Sequence, residues 1–139
     1  MSEPMNTPEP DLGYKERGLY YGGAWHEATT GRTFTSLSPS TGRKLGDAPY
    51  ADGNDVDLAV QAAAKGFAQW RKVGMKERAK CLEAWAKRVR AEAKRLALID
   101  AVDSGNAVKG MEGDMHWTAD SLDYFAGLGT EMKGDSVPA

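Results

Sequence analysis

Residues 96–134, LALIDAVDSGNAVKGMEGDMHWTADSLDYFAGLGTEMKG, constrain the fold more than any other stretch. They read as the end of one helix, a Ser-Gly-Asn break, and a long amphipathic helix closed by glycines. Val108, Met111, Met115, Thr118, Leu122 and Phe125 recur at steps of three and four, which lays them along one stripe of a 3.6-residue helix. A stripe of this kind packs into a core; it locates a helix and names no chemistry. Phe125, and Trp85 on the preceding helix, are therefore expected to be core residues. No complete catalytic constellation is visible in the sequence.

The segments upstream supply what this helix would pack with. Residues 1–17 are polar and Pro-rich and read as a flexible leader, too poor in apolar groups to offset the entropy of ordering. Residues 18–139 read as one unit. Its first part, residues 19–50, carries two short β-hairpins. In the first, aromatic residues flank Gly22-Gly23, a dipeptide suited to a tight hairpin turn. In the second, the alternating Thr33-Phe34-Thr35-Ser36-Leu37 is reversed by Pro39-Ser40-Thr41-Gly42. Three amphipathic helices follow, over about residues 54–72, 75–104 and 107–128. Asp52 or Asn54 can cap the first, with Asp55 and Asp57 in its positive first turn. Its apolar stripe is Val56, Val60, Ala63, Phe67 and Trp70. The second places Leu82, Trp85, Ala86 and Val89 on one face, is kinked near Ala91, and stops at Ser104-Gly105-Asn106.

A chain of 139 residues can bury a sizeable core as one domain. Its net charge of −2 argues against a nucleic-acid partner or an anionic membrane surface. No apolar run approaches the about 20 residues that span a bilayer. A single cysteine excludes an internal disulfide framework, and with no secretory signal the expected location is cytoplasmic. Candidate sites each meet a plainer explanation. Cys81 lies inside a helix with no evident base, which predicts packing rather than nucleophilic work. His26 and His116 belong to no metal-ligand spacing. Residues 52–57, DGNDVD, suggest a calcium loop, but Val56, Asp57 and Ala63 stand where a ligand, a glycine and a glutamate belong. Gly127-Leu128-Gly129 follows a helix and has Met132 in place of a third glycine, so it fails as a dinucleotide fingerprint. The basic residues of the second helix are interrupted by Glu77, Glu83 and Glu92 and read as a solvated face. Part of that set can face the acidic third helix (Glu112, Asp114, Asp120, Asp123).

Four pieces, in order, resemble the opening of the NAD(P)-dependent aldehyde dehydrogenase superfamily. They are LYYGGAWHEATTGRTFTSLSPSTGRKLGDAPYA, DVDLAVQAAAKGFAQWRKV, ERAKCLEAWAKRVRAEAKRLALIDAVDSGN and LDYFAGLGTEMKGDSVPA. Ser38 stands where the family usually has Asn in an Asn-Pro-x-Thr-Gly turn, and Asn106 replaces a common Lys. The resemblance implies an α/β fold, of which this chain is an incomplete part of the cofactor-binding domain. It implies oxidation of an aldehyde by a cysteine thiolate, with hydride passing from the thiohemiacetal to NAD or NADP, in a homo-oligomer. The family's nucleophilic Cys, base Glu, oxyanion-hole Asn and phosphate-binding loop match nothing before Ala139. No catalytic or cofactor-binding residue is therefore expected in this segment, and the segment alone is expected to be inactive and to bind no cofactor. One family site carries over by position: a monovalent cation held by main-chain oxygens at Ser36 and Leu37 and by the carboxylate of Asp103. Two other identities remain open: a free-standing, non-catalytic interaction module derived from the family, and part of a CoA-acylating or semialdehyde member.

Overall fold

The computed structural model describes residues 18–134, so the expected leader lies outside the described residues. The order is β1 (Leu19–Tyr21), β2 (Ala24–His26), β3 (Thr33–Leu37), β4 (Lys44–Pro49), α1 (Gly53–Trp70), α2 (Met75–Ala91), α3 (Ala93–Ser104) and α4 (Val108–Leu128). Both expected hairpins form. β1 pairs antiparallel with β2, Tyr20 opposite Trp25, and β3 with β4, Phe34 opposite Ala48, as two separate two-stranded sheets. Gly22 and Gly23 take φ of 61° and 85°, the pair of positive values that a two-residue hairpin turn of matching twist requires. A two-stranded ribbon is marginal alone. Both hairpins here are tied to helices through contacts described below.

The expected second helix is divided. At Glu92 the backbone turns to φ −105° and ψ 7°, and its N–H is shared between the carbonyls of Arg88 (3.1 Å) and Val89 (3.2 Å). That tightened turn ends α2, and Leu96 N donating to Glu92 O restarts the ladder as α3. The Glu92 carboxylate meets Arg88 (3.3 Å) and Arg95 (3.9 Å), one on each side of the break. No Gly or Pro marks the position, which is why the sequence announces a kink at most.

α4 folds back along α2 and α3, and the core lies in that seam. Ala86 and Val89 of α2 and Ala119 of α4 are buried together, with Leu96, Met115 and Leu122 packed against them. Ala93, Ala97 and Ala101 bury a further face of α3. The expectation about aromatic residues is corrected here. Trp85 is 59% exposed and Phe125 61% exposed, and Thr118 faces solvent. The face of α4 turned inward is Met111, Met115, Ala119, Leu122 and Ala126, rotated from the expected stripe. Alanines let helices approach closely, so the seam closes on small side chains and pushes the bulky ones to its flanks. The stripe of α1 is likewise outside: Val56, Val60 and Phe67 are 55%, 60% and 63% exposed.

Candidate functional site

The three residues singled out for a cation lie at a corner between the second hairpin and the end of α3. A bulge between Ser36 and Leu37 shifts the register of β3 against β4, so that Ser36 faces Gly46 and Leu37 faces Lys44. A bulge takes main-chain groups out of the regular ladder. The Ser36 hydroxyl donates to Asp103 Oδ1 at 3.1 Å across 67 residues of sequence. Just beyond, Gly105 takes φ of 79° as the left-handed cap of α3 and sits against Pro39, where a Cβ would lie 3.0 Å from the ring. Only glycine meets both demands comfortably. Ser38, in the turn between the strands, is buried and donates its N–H to Arg43 O at 2.8 Å. Ser36 and Asp103 are thus brought together and Leu37 adjoins them, more than half exposed. The donor set fits a hard cation in part: one carboxylate oxygen is engaged by the hydroxyl, and several more oxygens are needed. Among the described residues no group of three or more His, Cys, Asp or Glu is placed to hold a metal ion.

A second polar junction lies at the start of α1, where the sequence suggested a failed calcium loop. Asp52 caps the helix by accepting from Asn54 N (2.9 Å) and Asp55 N (3.1 Å). Asp55 reciprocates by accepting from Asp52 N at 3.0 Å, closing a capping box. Its other oxygen accepts from Thr29 N at 3.0 Å, which anchors the β2–β3 loop 26 residues upstream. Asp55 is 2% exposed. The N–H of Asp52, followed by that of Thr29, holds its carboxyl below the ordinary 3.8. The function of this cluster is structural: its oxygens are spent on backbone donors, the Thr29 hydroxyl and the Asn54 amide. Capping was legible in Asp52; the reach from Asp55 to Thr29 was not, because no local pattern encodes it.

Between hairpin 1 and α1 runs an open groove of about 880 Å³, lined by Tyr20, Tyr21 and His26 on one wall and Ala59, Ala62 and Gly66 on the other. His26 stacks on Tyr21 with centroids 3.9 Å apart and donates Nε2–H to Tyr21 O at 3.2 Å. Cys81 is exposed in mid-α2 rather than packed as expected, and it is far from the helix N-terminus that could activate it. Arg90 confirms that basic α2 and acidic α4 face each other: it forks onto Asp120 and Asp123, each at 2.7 Å. Asp120, then Asp123, raises the guanidinium pKa above its ordinary value. Gly127 and Gly129 close α4, and Gly129 abuts Met75. These residues do not fit a dinucleotide, which wants such glycines between a strand and a helix N-terminus.

The arrangement of two hairpins, a capped arm and a helical hairpin is a known one. The sequence profile of the Aldehyde dehydrogenase family matches residues 25–139. The chain belongs to the aldehyde dehydrogenase family. Aldehyde dehydrogenase tropH of Talaromyces stipitatus is 39% identical over 120 residues, a match covering 86% of this chain and 23% of that protein. The solved succinate-semialdehyde dehydrogenase from Burkholderia pseudomallei superposes with a TM-score of 0.85 at 31% identity, covering 96% of this chain and 27% of that one. PnpE in complex with nicotinamide adenine dinucleotide gives 0.85 at 30% identity, over 90% and 26%. The chain therefore spans about a quarter of the length of the relatives it matches. Its two strand pairs and four helices are part of the α/β cofactor-binding domain of an aldehyde dehydrogenase, an oxidoreductase family. None of the described helices is long and apolar enough to cross a membrane.

Proposed function

We propose that this chain is the N-terminal quarter of an aldehyde dehydrogenase subunit that oxidises an aldehyde to a carboxylic acid with NAD or NADP, and that the quarter alone is inactive. The observation that carries this is the continuous family match over residues 25–139 combined with coverage of only 23% of tropH. NAD or NADP supplies the hydride acceptor in the complete enzyme, and PnpE, solved with that dinucleotide, supports the choice. The residues of this chain do not perform the chemistry. They build residues 18–139 as the N-terminal part of the cofactor domain and fix its hairpins to its helices. A thiolate nucleophile needs a helix N-terminus or a neighbouring base, and exposed Cys81 in mid-helix has neither. We further propose a cytoplasmic, homo-oligomeric enzyme with no nucleic-acid or membrane partner, in keeping with the small net charge and the single cysteine.

The corner at Ser36, Leu37 and Asp103 is proposed to hold a monovalent cation once further oxygen ligands are supplied from elsewhere in the subunit. The test of the main reading is direct. The purified 139-residue chain, mixed with short aliphatic, aromatic and amino aldehydes and with NAD or NADP, is expected to generate no NAD(P)H fluorescence. A chain extended to the family's full length is expected to generate it. Turnover by the short chain that disappears in Cys81→Ser would overturn the reading and make Cys81 catalytic.

A further inference from the structure

We infer that the Ser36 hydroxyl is a positioning residue for the corner at Asp103: it holds one carboxylate oxygen so that the other is presented to the cation. The inference rests on the cation reading above. The charge at this corner is unbalanced. Asp103 stands in the last turn of α3, where the helix carbonyls already carry partial negative charge and a carboxylate is disfavoured. That turn holds no basic residue. Among the described residues Asp103 joins no ion pair, and Lys44, which faces Leu37 across the hairpin, is engaged by Asp47. What Asp103 has instead is a neutral donor, the Ser36 hydroxyl at 3.1 Å. That bond is charge-assisted but brings no charge, so the negative focus is left for a mobile cation. The corner is also braced. Gly105, two residues on, lies where a Cβ would stand 3.0 Å from Pro39 Cγ and 3.6 Å from Ser40 Oγ. Hairpin 2 therefore meets the end of α3 at two points, and the two differ in role. The Pro39–Gly105 contact sets how closely the hairpin approaches the helix. The Ser36–Asp103 bond sets which way the carboxylate turns. An Asp side chain free to rotate would have to be ordered at the moment of binding, which weakens affinity; Ser36 orders it beforehand. A carboxylate has lone pairs enough to keep this bond and still coordinate an ion. Family resemblance names Ser36 only for its main-chain oxygen; the role of its side chain is legible only in the structure.

Two measurements on the parent, Ser36→Ala and Ser36→Thr test this. The first needs no ion. In the free 139-residue chain, NMR couplings about χ1 of Asp103 are expected to report one rotamer in the parent and in Ser36→Thr, and averaging in Ser36→Ala. The second uses the chain extended to the family's full length. Its melting midpoint is followed against potassium chloride, with tetramethylammonium chloride at equal ionic strength supplying a cation too large to seat on the Asp103 oxygens. The rise with potassium gives an apparent Kd. Ser36→Ala is expected to raise that Kd by about tenfold or more and Ser36→Thr by less than about threefold, because a group that orients a metal ligand is worth roughly 10–100-fold in affinity. A bond that only ties hairpin to helix would lower the midpoint equally in both salts and leave the potassium Kd unchanged. That result overturns the inference, as do an Asp103 side chain already averaged in the parent and equal weakening by alanine and threonine. A parent that potassium does not stabilise over tetramethylammonium would sink the cation reading and this inference with it. A potassium-stabilised parent whose Ser36→Ala variant binds as tightly would sink the inference alone. NAD(P)H production is not read, so neither result bears on the proposed aldehyde oxidation.

Discussion

The two halves of this chain are held together by different physics. The helical half, α2 to α4, closes on a seam of alanines with Val89, Met115 and Leu122, tied at its edge by the Arg90 fork. The front half, two hairpins and α1, has little apolar burial; Ala28 is its one buried apolar residue among those described. It is held by polar clasps between segments remote in sequence: Thr29 to Asp55, Ser36 to Asp103, Arg78 to the end of α1. A packed seam resists changes of volume. A clasp resists loss of a donor or acceptor and little else. The difference teaches where this segment is held by packing and where it is held by single polar contacts.

The largest effect should come from adding the same side chain to each half. Ala119→Leu inserts methylenes into the closed seam, and overpacking of this kind costs about 1–3 kcal/mol. Ala63→Leu makes the same change on exposed α1, where surface substitutions stay within about 0.5 kcal/mol. Urea unfolding followed by circular dichroism is expected to show a lowered midpoint for the first and none for the second. Equal shifts would mean that α1 is packed in solution and would erase the distinction.

Next come the clasps. Asp52→Ala removes the cap of α1 and the acceptor of the Thr29 hydroxyl, and losing such a cap costs about 1 kcal/mol. Hydrogen exchange should then rise in the first turns of α1 while the α2–α4 seam stays protected. Acid should do the same thing gradually. Asp55 has a lower pKa folded than unfolded, so its clasp contributes fully above the ordinary 3.8 and is lost as pH falls through the lower folded value. The front half is therefore expected to open below about pH 4, ahead of the seam, whose apolar contacts do not titrate. Simultaneous loss of both halves on acid titration would break the comparison.

The two halves were also unequally legible. Gly22-Gly23 and Asp52 declared a hairpin and a helix start because turn and cap chemistry is local. The corner at Ser36 and Asp103 could be named only through family resemblance, since its partners are separated by 67 residues. The break at Glu92 was legible only as a kink near Ala91, because it arises from a shared backbone N–H rather than from a glycine or proline. In α4 the expected helix was present but its inward face was misjudged. Hydrophobic periodicity gives weight to large side chains, whereas this seam is built from small ones, so Phe125 and Thr118 were placed inward and Ala119 and Ala126 were passed over. Cys81 was expected to pack because no base stood near it in sequence, and that absence says nothing about burial; it is exposed.

The smallest effect expected on stability is also the sharpest test of that misjudgement. Were Trp85 and Phe125 core residues, Trp85→Ala and Phe125→Ala would cost about 3–5 kcal/mol each. With Trp85 59% and Phe125 61% exposed, each is expected to change the stability of the free chain by only about 0.5 kcal/mol. Phe125 meets Tyr124 edge-on at 5.3 Å, a contact between two exposed rings that stabilises no core. What these substitutions should change is association. Trp117, Tyr124 and Phe125 lie outside on α4, and Trp85 outside on α2, each more than half exposed, and exposed apolar patches mark surfaces that associate. The free chain is accordingly expected to bind a hydrophobic dye and to self-associate as its concentration rises. Trp85→Ala with Phe125→Ala should weaken both behaviours while the urea midpoint holds. A collapse of the midpoint would return these rings to the core; an unchanged dye signal would mean that the uncovered surface lies on α1 instead.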